Sequence, residues 1–538
     1  MPRPLSRRDL LRIASGAMVA GAVTPLVRST ISPDPAHAAG WHSQLVYPDA
    51  NGRLVYKEDP RGKKIPDFSW AGYRNGEVPL PSVPVVKEIG PISGDNTAHI
   101  QAALDEVGAM PLGANGFRGA LRLAAGHYKV AGTIVMQHDG VVLRGAGQWD
   151  DDSANTVITG TGGGSATEVL RVGGPDGGWR SKVPGTETGI TSSLVEAGEN
   201  RMTLASTANL KVGDNIIIDH PHTQEWTDAI KGGGVIKDAP WEPNTKPIMY
   251  NRYIKEIVGN DIVICAPVFN NLRRSQSQCS VWVWNRKGLV RNVGVENLRI
   301  DMNDPSEFNE DHPQNCIHLN WTEDAWVKDA TLLHFSRAAV AVTHSSRVTV
   351  QGVRAREPRS VVEGRKRYSF SANIYAQQVL FRDVEANKAR HAFIAAGMST
   401  CSGIVWLNGT SEDGLNESGG HNGWSQGLLY DNVKELRSRS EWDWVLSLHN
   451  RGDKGNGDGH GWSSVTSVAW NCTVDNRKKV CVQAPPTSQN FAIGTTGAVT
   501  GENWYSGYET GYVEGTNKPG LTPGSLYEAQ LADRLRNT

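Results

Sequence analysis

Between Arg390 and Trp462, histidine returns four times beside charged residues or tryptophan: Arg390-His391, then Glu417, His421 and Trp424, then His449 with Arg451, then His460 with Trp462. Imidazole is the side chain whose ordinary pKa lies nearest neutrality, so it moves protons. Guanidinium stays charged and steadies an anion. Taken singly, a histidine is most often a hydrogen-bonded structural residue and an arginine a solvated one. The joint recurrence points instead to acid–base chemistry beside a developing negative charge, with Glu417 placed to orient an imidazole.

Residues so far apart meet only if the chain brings them together, and the same stretch carries the means. An apolar residue, another two on, and a third small or apolar residue three further recur from Val293, Ala325, Val348, Val379, Ile404, Leu428 and Val468. Alternation of period two is a short strand with one face buried, and its return every few tens of residues is a stack of coils, a parallel β-helix. The longer intervals carry insertions. One holds Glu307, Glu310, Asp311 and His312; another Arg356, Arg359, Glu363, Arg365, Lys366, Arg367 and Tyr368; a third His449, Arg451 and His460. Arg337 and His391 each lie twelve residues after the start of their coil, which predicts one ladder with a rise of about 4.8 Å per coil.

The 538 residues, 38% hydrophobic with a formal net charge of −1, suffice for a large core and lack the basicity of a nucleic-acid binder. Tryptophan outnumbers phenylalanine, 17 to 9, as in proteins that hold sugar rings against a flat apolar face. Trp424 and Trp462, with Trp226 and Trp241 from a loop over 223–251, are therefore expected to line a groove, as are Arg337, Arg365, Arg367 and Tyr368. Core filling is the alternative for any one tryptophan. Six cysteines include no C-x-x-C pair, which argues against a zinc cluster. Cys472 with Cys481 is the best candidate for a disulfide. The acidic run Asp301, Asp304, Glu307, Glu310, Asp311 would be the place for calcium, although a solvated loop is the simpler reading. No cofactor is required.

In chain order, residues 1–38 read as an export signal: Arg7-Arg8 precede two leucines and a short apolar run, and Ala36-His37-Ala38 offers a cleavage site. The pattern resembles bacterial twin-arginine signals and implies a secreted protein with no membrane span after processing. Residues 39–93 read as an extended segment whose Phe68, Trp70 and Tyr73 need a surface to cover. A capping helix and first coils follow over 94–154, with Ile100, Ala103, Leu104 and Val107 on one helix face. An inserted antiparallel β-subdomain over 155–288, the main β-helix over 289–500 and a tail over 501–538 complete the order. A monomer is expected.

The combination A-R-H-A-F, E-S-G-G-H-N-G-W-S-Q-G-L-L-Y-D-N, H-N-R-G with G-H-G-W, and A-P-P-T-S-Q-N-F-A-I-G resembles secreted bacterial proteins of the pectate-lyase superfamily. The resemblance implies an all-β, right-handed parallel β-helix acting on polysaccharide. It stops short of pectin. Gly459-His460-Gly461 lacks the aspartate motifs and R-I-K of polygalacturonases, and Arg356-Glu357-Pro358-Arg359 has the wrong spacing for the R-x-P-x-x-R of pectate lyases. The preferred expectation is a lyase cutting a uronate polysaccharide by β-elimination. Arg390 or Arg451 would bind the carboxylate, His421 or His449 would take the proton, His460 would be the other proton carrier, and Glu417 would orient a histidine. A glycoside hydrolase using Glu417 with Asp413, Asp443, Asp453 or Asp458, and a non-catalytic carbohydrate-binding β-helix, are the alternatives.

Overall fold

The computed structural model describes residues 40–164, 167–174, 177–302, 306–454, 459–475, 477–503 and 508–536. The export signal, Asp304 and Asp458 lie outside them.

The chain winds into a parallel β-helix with three faces. On the first face, six of the seven motif starts stand in one hydrogen-bonded row, Val293, Ala325, Val348, Val379, Ile404 and Leu428. What fixes that row is the corner after it. The fifth motif residue, Asn297, Asp329, Gly352, Asp383, Asn408 or Asn432, has a positive φ throughout, between 51° and 64°. Left-handed backbone is cheapest for glycine and tolerable for Asn and Asp, whose short polar side chains bond locally, so these residues mark each bend. In the seventh coil the bend residue is Asn471, φ 52°, one position earlier in the motif. Val468 accordingly pairs with Leu429 rather than Leu428, a slip of one residue that turns Val468 outward and Ala469 inward.

Inside the coils, equivalent positions stack. Phe381 lies 5.7 Å from Trp406, and Trp406 lies 4.7 Å from Tyr430, all near-parallel. The helix Thr97–Ala109 closes the N-terminal end by burying Ile100, Ala103, Leu104 and Val107 against this core, with Asp95 Oδ1 accepting from the Thr97 N–H at 3.0 Å.

A six-stranded antiparallel sheet, with strands from Thr188–Gly189 to Ser280–Val283, is inserted between early and late coils. Strands Thr156–Gly160 and Glu168–Val172 still belong to the solenoid, so the excursion begins beyond them. This sheet, the segment carrying Phe68, and the C-terminal helix Leu526–Leu535 together cover the outer side of the first face. All six cysteines are buried free thiols, so the Cys472–Cys481 bridge is not formed. No described helix is long and apolar enough to cross a membrane.

The third face stays open. Its strands run side by side from Ile134–Met136 to Ala498–Thr500, and its middle carries Asn315–Asn320, Ala338–Thr343, Tyr368–Ala372, His391–Ala395 and Ser418–Gly420. One row reads Asn315, Ala338, Tyr368, His391. Arg337 therefore stands level with Arg390 and not with His391. The corner before Ala338–Thr343 holds one residue more than the corner before His391–Ala395, which defeats the equal-offset expectation.

Candidate active site

A cleft of about 620 Å³ lies over the third face, lined by Asn315, His318, Arg337, Ala338, Ala341, Arg365, Tyr368, Asn373, His421 and His460 among others. The insertion before Tyr368 forms one wall. Arg367 anchors that insertion from inside, giving its Nε to the Ser360 carbonyl at 2.9 Å and an Nη2 bond to the Glu307 carbonyl at 3.0 Å. Its guanidinium is buried and spent on the loop, which corrects its expected role in substrate binding.

Tyr368 Oη is the centre of the cluster. The backbone N–H of Arg365 reaches it at 3.1 Å and Arg390 Nη1 at 3.3 Å. His421 Nε2 is 3.2 Å away. Arg451 Nη1 bonds His421 Nδ1, and because arginine only donates, a neutral His421 carries its proton on Nε2 and points it at the tyrosine. Three donors thus converge on one phenolic oxygen.

His391, beneath, has the opposite tautomer. Its Nδ1–H donates to the Glu417 carbonyl at 2.5 Å, and its Nε2 accepts from Arg390 Nη1 at 2.8 Å. Burial, reinforced by neighbouring arginines, holds both His391 and His421 well below the ordinary imidazole range. Burial, with Arg451 and Lys246 nearby, likewise brings His460 down to about 4. The rings of His391 and His421 are 5.0 Å apart, and those of His421 and His460 are 5.1 Å apart.

Arg451 is buried, with Nη2 3.3 Å from Glu417 Oε1, and the two form an ion pair behind His421. Glu417 therefore orients a histidine at one remove, through Arg451. His449 is sealed in the interior, where its Nδ1 accepts from Asn503 Nδ2 at 3.0 Å. It does not face the cleft, which removes it as a proton acceptor for substrate. Arg337 and Arg365 line the cleft as exposed guanidiniums with no ion pair or side-chain hydrogen bond among the described residues.

The tryptophans go elsewhere. Trp226, Trp424 and Trp462 are fully buried between the inserted sheet and the first face. Trp226 and Trp424 meet edge to face at 5.5 Å, and half-buried Trp241 packs on Trp424 at 6.4 Å. None lines the cleft, so the groove of tryptophans is corrected to a core. The carboxylates named for hydrolysis are also engaged. Asp413 faces Arg437 and Arg439, Asp443 pairs with Lys479 at 3.1 Å, and Asp453 accepts from the backbone N–H groups of Ile236, Lys237 and Asp238.

The acidic run considered for calcium is dispersed. Asp301 pairs with Arg299 and His334, Glu310 with Lys366, and Asp311 accepts from the Gly164 N–H. No group of three His, Cys, Asp or Glu is placed to hold a metal ion among the described residues. Residues that the sequence did not single out are Asn315 and His318, at the far end of the cleft. His318 Nε2 meets Thr343 Oγ1 at 3.0 Å, and its ring lies 3.7 Å from Glu168.

Neither a family model nor a curated protein sequence matches the chain. Solved structures match only at low similarity. The tailspike protein gp49 from Pseudomonas phage LKA1 aligns at 14% identity and a TM-score of 0.41, over 75% of this chain and 64% of that one. The polygalacturonase from Erwinia carotovora ssp. carotovora aligns at 10% identity and 0.38, over 83% and 96%. The catalytic domain of a GH87 alpha-1,3-glucanase in complex with nigerose aligns at 8% and 0.41, over 83% and 69%. The chain thus spans less than two thirds of the phage tailspike. Likeness at this level carries nothing about chemistry.

Proposed function

We propose that the protein is a polysaccharide lyase that cleaves a uronate polymer by β-elimination at Tyr368. The observation that carries this reading is the cleft's chemistry: a phenolic oxygen receiving three donors, two exposed arginines beside it, and no carboxylate in the lining among the described residues. Hydrolysis needs two carboxylates facing the same bond. Elimination needs a cation on the substrate carboxylate and one atom that can take and return a proton.

Arg365, whose own backbone N–H holds Tyr368 Oη, presents its guanidinium to the carboxylate of the reacting sugar. Tyr368 Oη, having released its proton to water in the cleft, takes the proton from the carbon beside that carboxylate. The carbon–oxygen bond to the leaving sugar then breaks, a carbon–carbon double bond forms, and the same proton passes to the departing oxygen. The negative charge that Oη carries before it takes the proton is steadied by Arg390, His421 Nε2–H and the Arg365 N–H. Arg451 and Glu417 act as positioning residues by fixing the His421 tautomer. His460, kept neutral on the cleft wall, is the second group able to relay a proton.

Incubation with polyuronates and measurement of the ultraviolet absorbance of unsaturated chain ends tests the reading. New reducing ends without that absorbance assign a hydrolase, and binding without either assigns a lectin-like protein. Since arginine rather than calcium is given the carboxylate, a chelator should leave the rate unchanged. Export and secretion are proposed on the signal-like residues 1–38 alone, and a chain detected only inside the producing cell overturns that part.

A further inference from the structure

Between Tyr368 and His318 the cleft floor drops. The row His318, Ala341, Ser371 and the row Asn315, Ala338, Tyr368 are each hydrogen-bonded strand to strand, so between the two polar ends the middle strand offers Ala338 and Ala341, with Thr343 at its C-terminal end. Two strand spacings make the notch about 10 Å wide. Ala338 and Ala341 are its buried floor, and Arg337 stands on its wall.

Two features of the notch lack partners among the described residues. Arg337 carries no ion pair or side-chain hydrogen bond among the described residues, while Arg367 and Arg390 at the same level of the next two strands are both tied down. Asn315 is 4% exposed and donates its Nδ2 to the Thr167 carbonyl at 3.0 Å, yet its Oδ1 is buried with nothing to accept from among the described residues. A buried acceptor left unsatisfied is destabilising unless something supplies a hydrogen. The lining therefore asks for one ligand with a hydroxyl donor toward Asn315 and an anionic group toward Arg337.

We infer that this notch is a second sugar subsite that takes an acidic ring next to the one cleaved, so that the preferred substrate is a run of consecutive uronates rather than a polymer in which uronate alternates with a neutral sugar. The ring sits over Ala338 and Ala341, its hydroxyl on Asn315 Oδ1 and its carboxylate on Arg337. The inference rests on the lyase reading for the adjoining site, but its binding component does not depend on turnover.

Two measurements separate the two ideas. In the first, a saturated uronate hexamer is titrated calorimetrically into the full chain and into Arg337→Ala. Loss of one charge-assisted contact is expected to weaken binding roughly tenfold or more, and Ala341→Leu, which fills the notch, should weaken it likewise. Unchanged affinity in both variants overturns the subsite. In the second, kcat and KM are compared on a homopolyuronate and on an alternating uronate–acetamidosugar polymer. The homopolymer should be preferred by roughly tenfold in kcat/KM, with Arg337→Ala raising its KM more than it lowers kcat and narrowing the gap. Equal rates on the two polymers overturn the substrate assignment. If neither polymer yields unsaturated ends while Arg337→Ala still weakens hexamer binding, the lyase reading falls and the subsite stands.

Discussion

On the first face the row of side chains pointing away from the solenoid interior reads Leu380, Val405, Leu429, Val468, Phe491; on the third face an outward row reads Asn315, Ala338, Tyr368, His391. The coils are the same and the strand spacing is the same. What differs is the cover. The inserted sheet, the segment from Phe68 to Tyr73 and the C-terminal helix lie on the first face and convert its outer side into a second hydrophobic core, whereas the third face keeps its groove. A repeat fixes where side chains stand; the excursions between repeats decide which of those rows meet water. Tryptophan near histidine in sequence, as in Gly459 to Trp462, therefore says little about shared function, because His460 turns to the cleft and Trp462 to the core.

The sharpest way to break this division is to touch one face and read the property assigned to the other. Tyr368→Phe removes only the oxygen on which three donors converge, and proton transfer by a positioned side chain is worth roughly 10²–10⁴-fold. The release of unsaturated ends should fall by that factor with the thermal midpoint unchanged. A variant that retains a tenth of the rate disqualifies Tyr368 as the proton-transfer group.

Arg451 sits where site and interior meet, so its loss should cost both properties. Arg451→Ala leaves Glu417 as a buried carboxylate without its cation, and breaking such a pair costs about 3–5 kcal/mol. Denaturant titration should show that loss, and activity should drop as His421 loses the bond that fixes its tautomer. Replacing both partners together, Arg451→Met with Glu417→Leu, should restore much of the stability but not the activity. If the double variant regains activity, the pair is structural only.

Trp424→Ala tests the covered face. Removing a buried tryptophan typically costs about 3–5 kcal/mol, read as a lower denaturation midpoint. KM for the polymer should stay within a factor of two of the parent where the variant is folded. A large rise in KM would return Trp424 to the substrate.

How far the sequence reaches follows from which residues mark the bends. The apolar motif was enough for the coils, the parallel stacking and the capping helix, since burial and period two are local signals. The register was legible too, in the Asn, Asp or Gly at the fifth motif position, and reading that column would have exposed the one-residue slip at Asn471. Distances across the third face were not legible. The corner before Ala338 is one residue longer than that before His391, and the long insertion before Tyr368 leaves its row unpredictable from counting. From sequence, Tyr368 thus reads as a binding residue, while its place as the atom to which Arg390 and His421 both point is set by the fold. Burial of His449, Trp226, Trp424 and Trp462 was hidden for a different reason. It depends on where the inserted sheet docks, and no local pattern encodes that.

The smallest expected effect concerns the tie between the first face and its C-terminal cover. Asp431, wholly buried, accepts from Ser525 Oγ at 2.7 Å and from the Tyr527 N–H at 2.8 Å, and so holds the start of the helix Leu526–Leu535. Burial, with Glu528 adding to it against these hydrogen bonds, raises its carboxyl to about 7. An unfolded aspartate ionises near 3.8, so between the two values the folded chain holds a proton that the unfolded chain has lost. This group's contribution to stability is therefore fully present below the unfolded value and is lost as pH rises toward 7. Asparagine carries no such proton. Between pH 5.5 and pH 8, Asp431→Asn should accordingly gain about 2 kcal/mol relative to the parent, in urea titrations run at both values. The catalytic pH profile should stay the same, because Asp431 lies under the covered face and the groups that move protons line the open one. Parallel shifts in activity and stability in this variant would mean that the two faces are coupled, and the contrast drawn between them would fail.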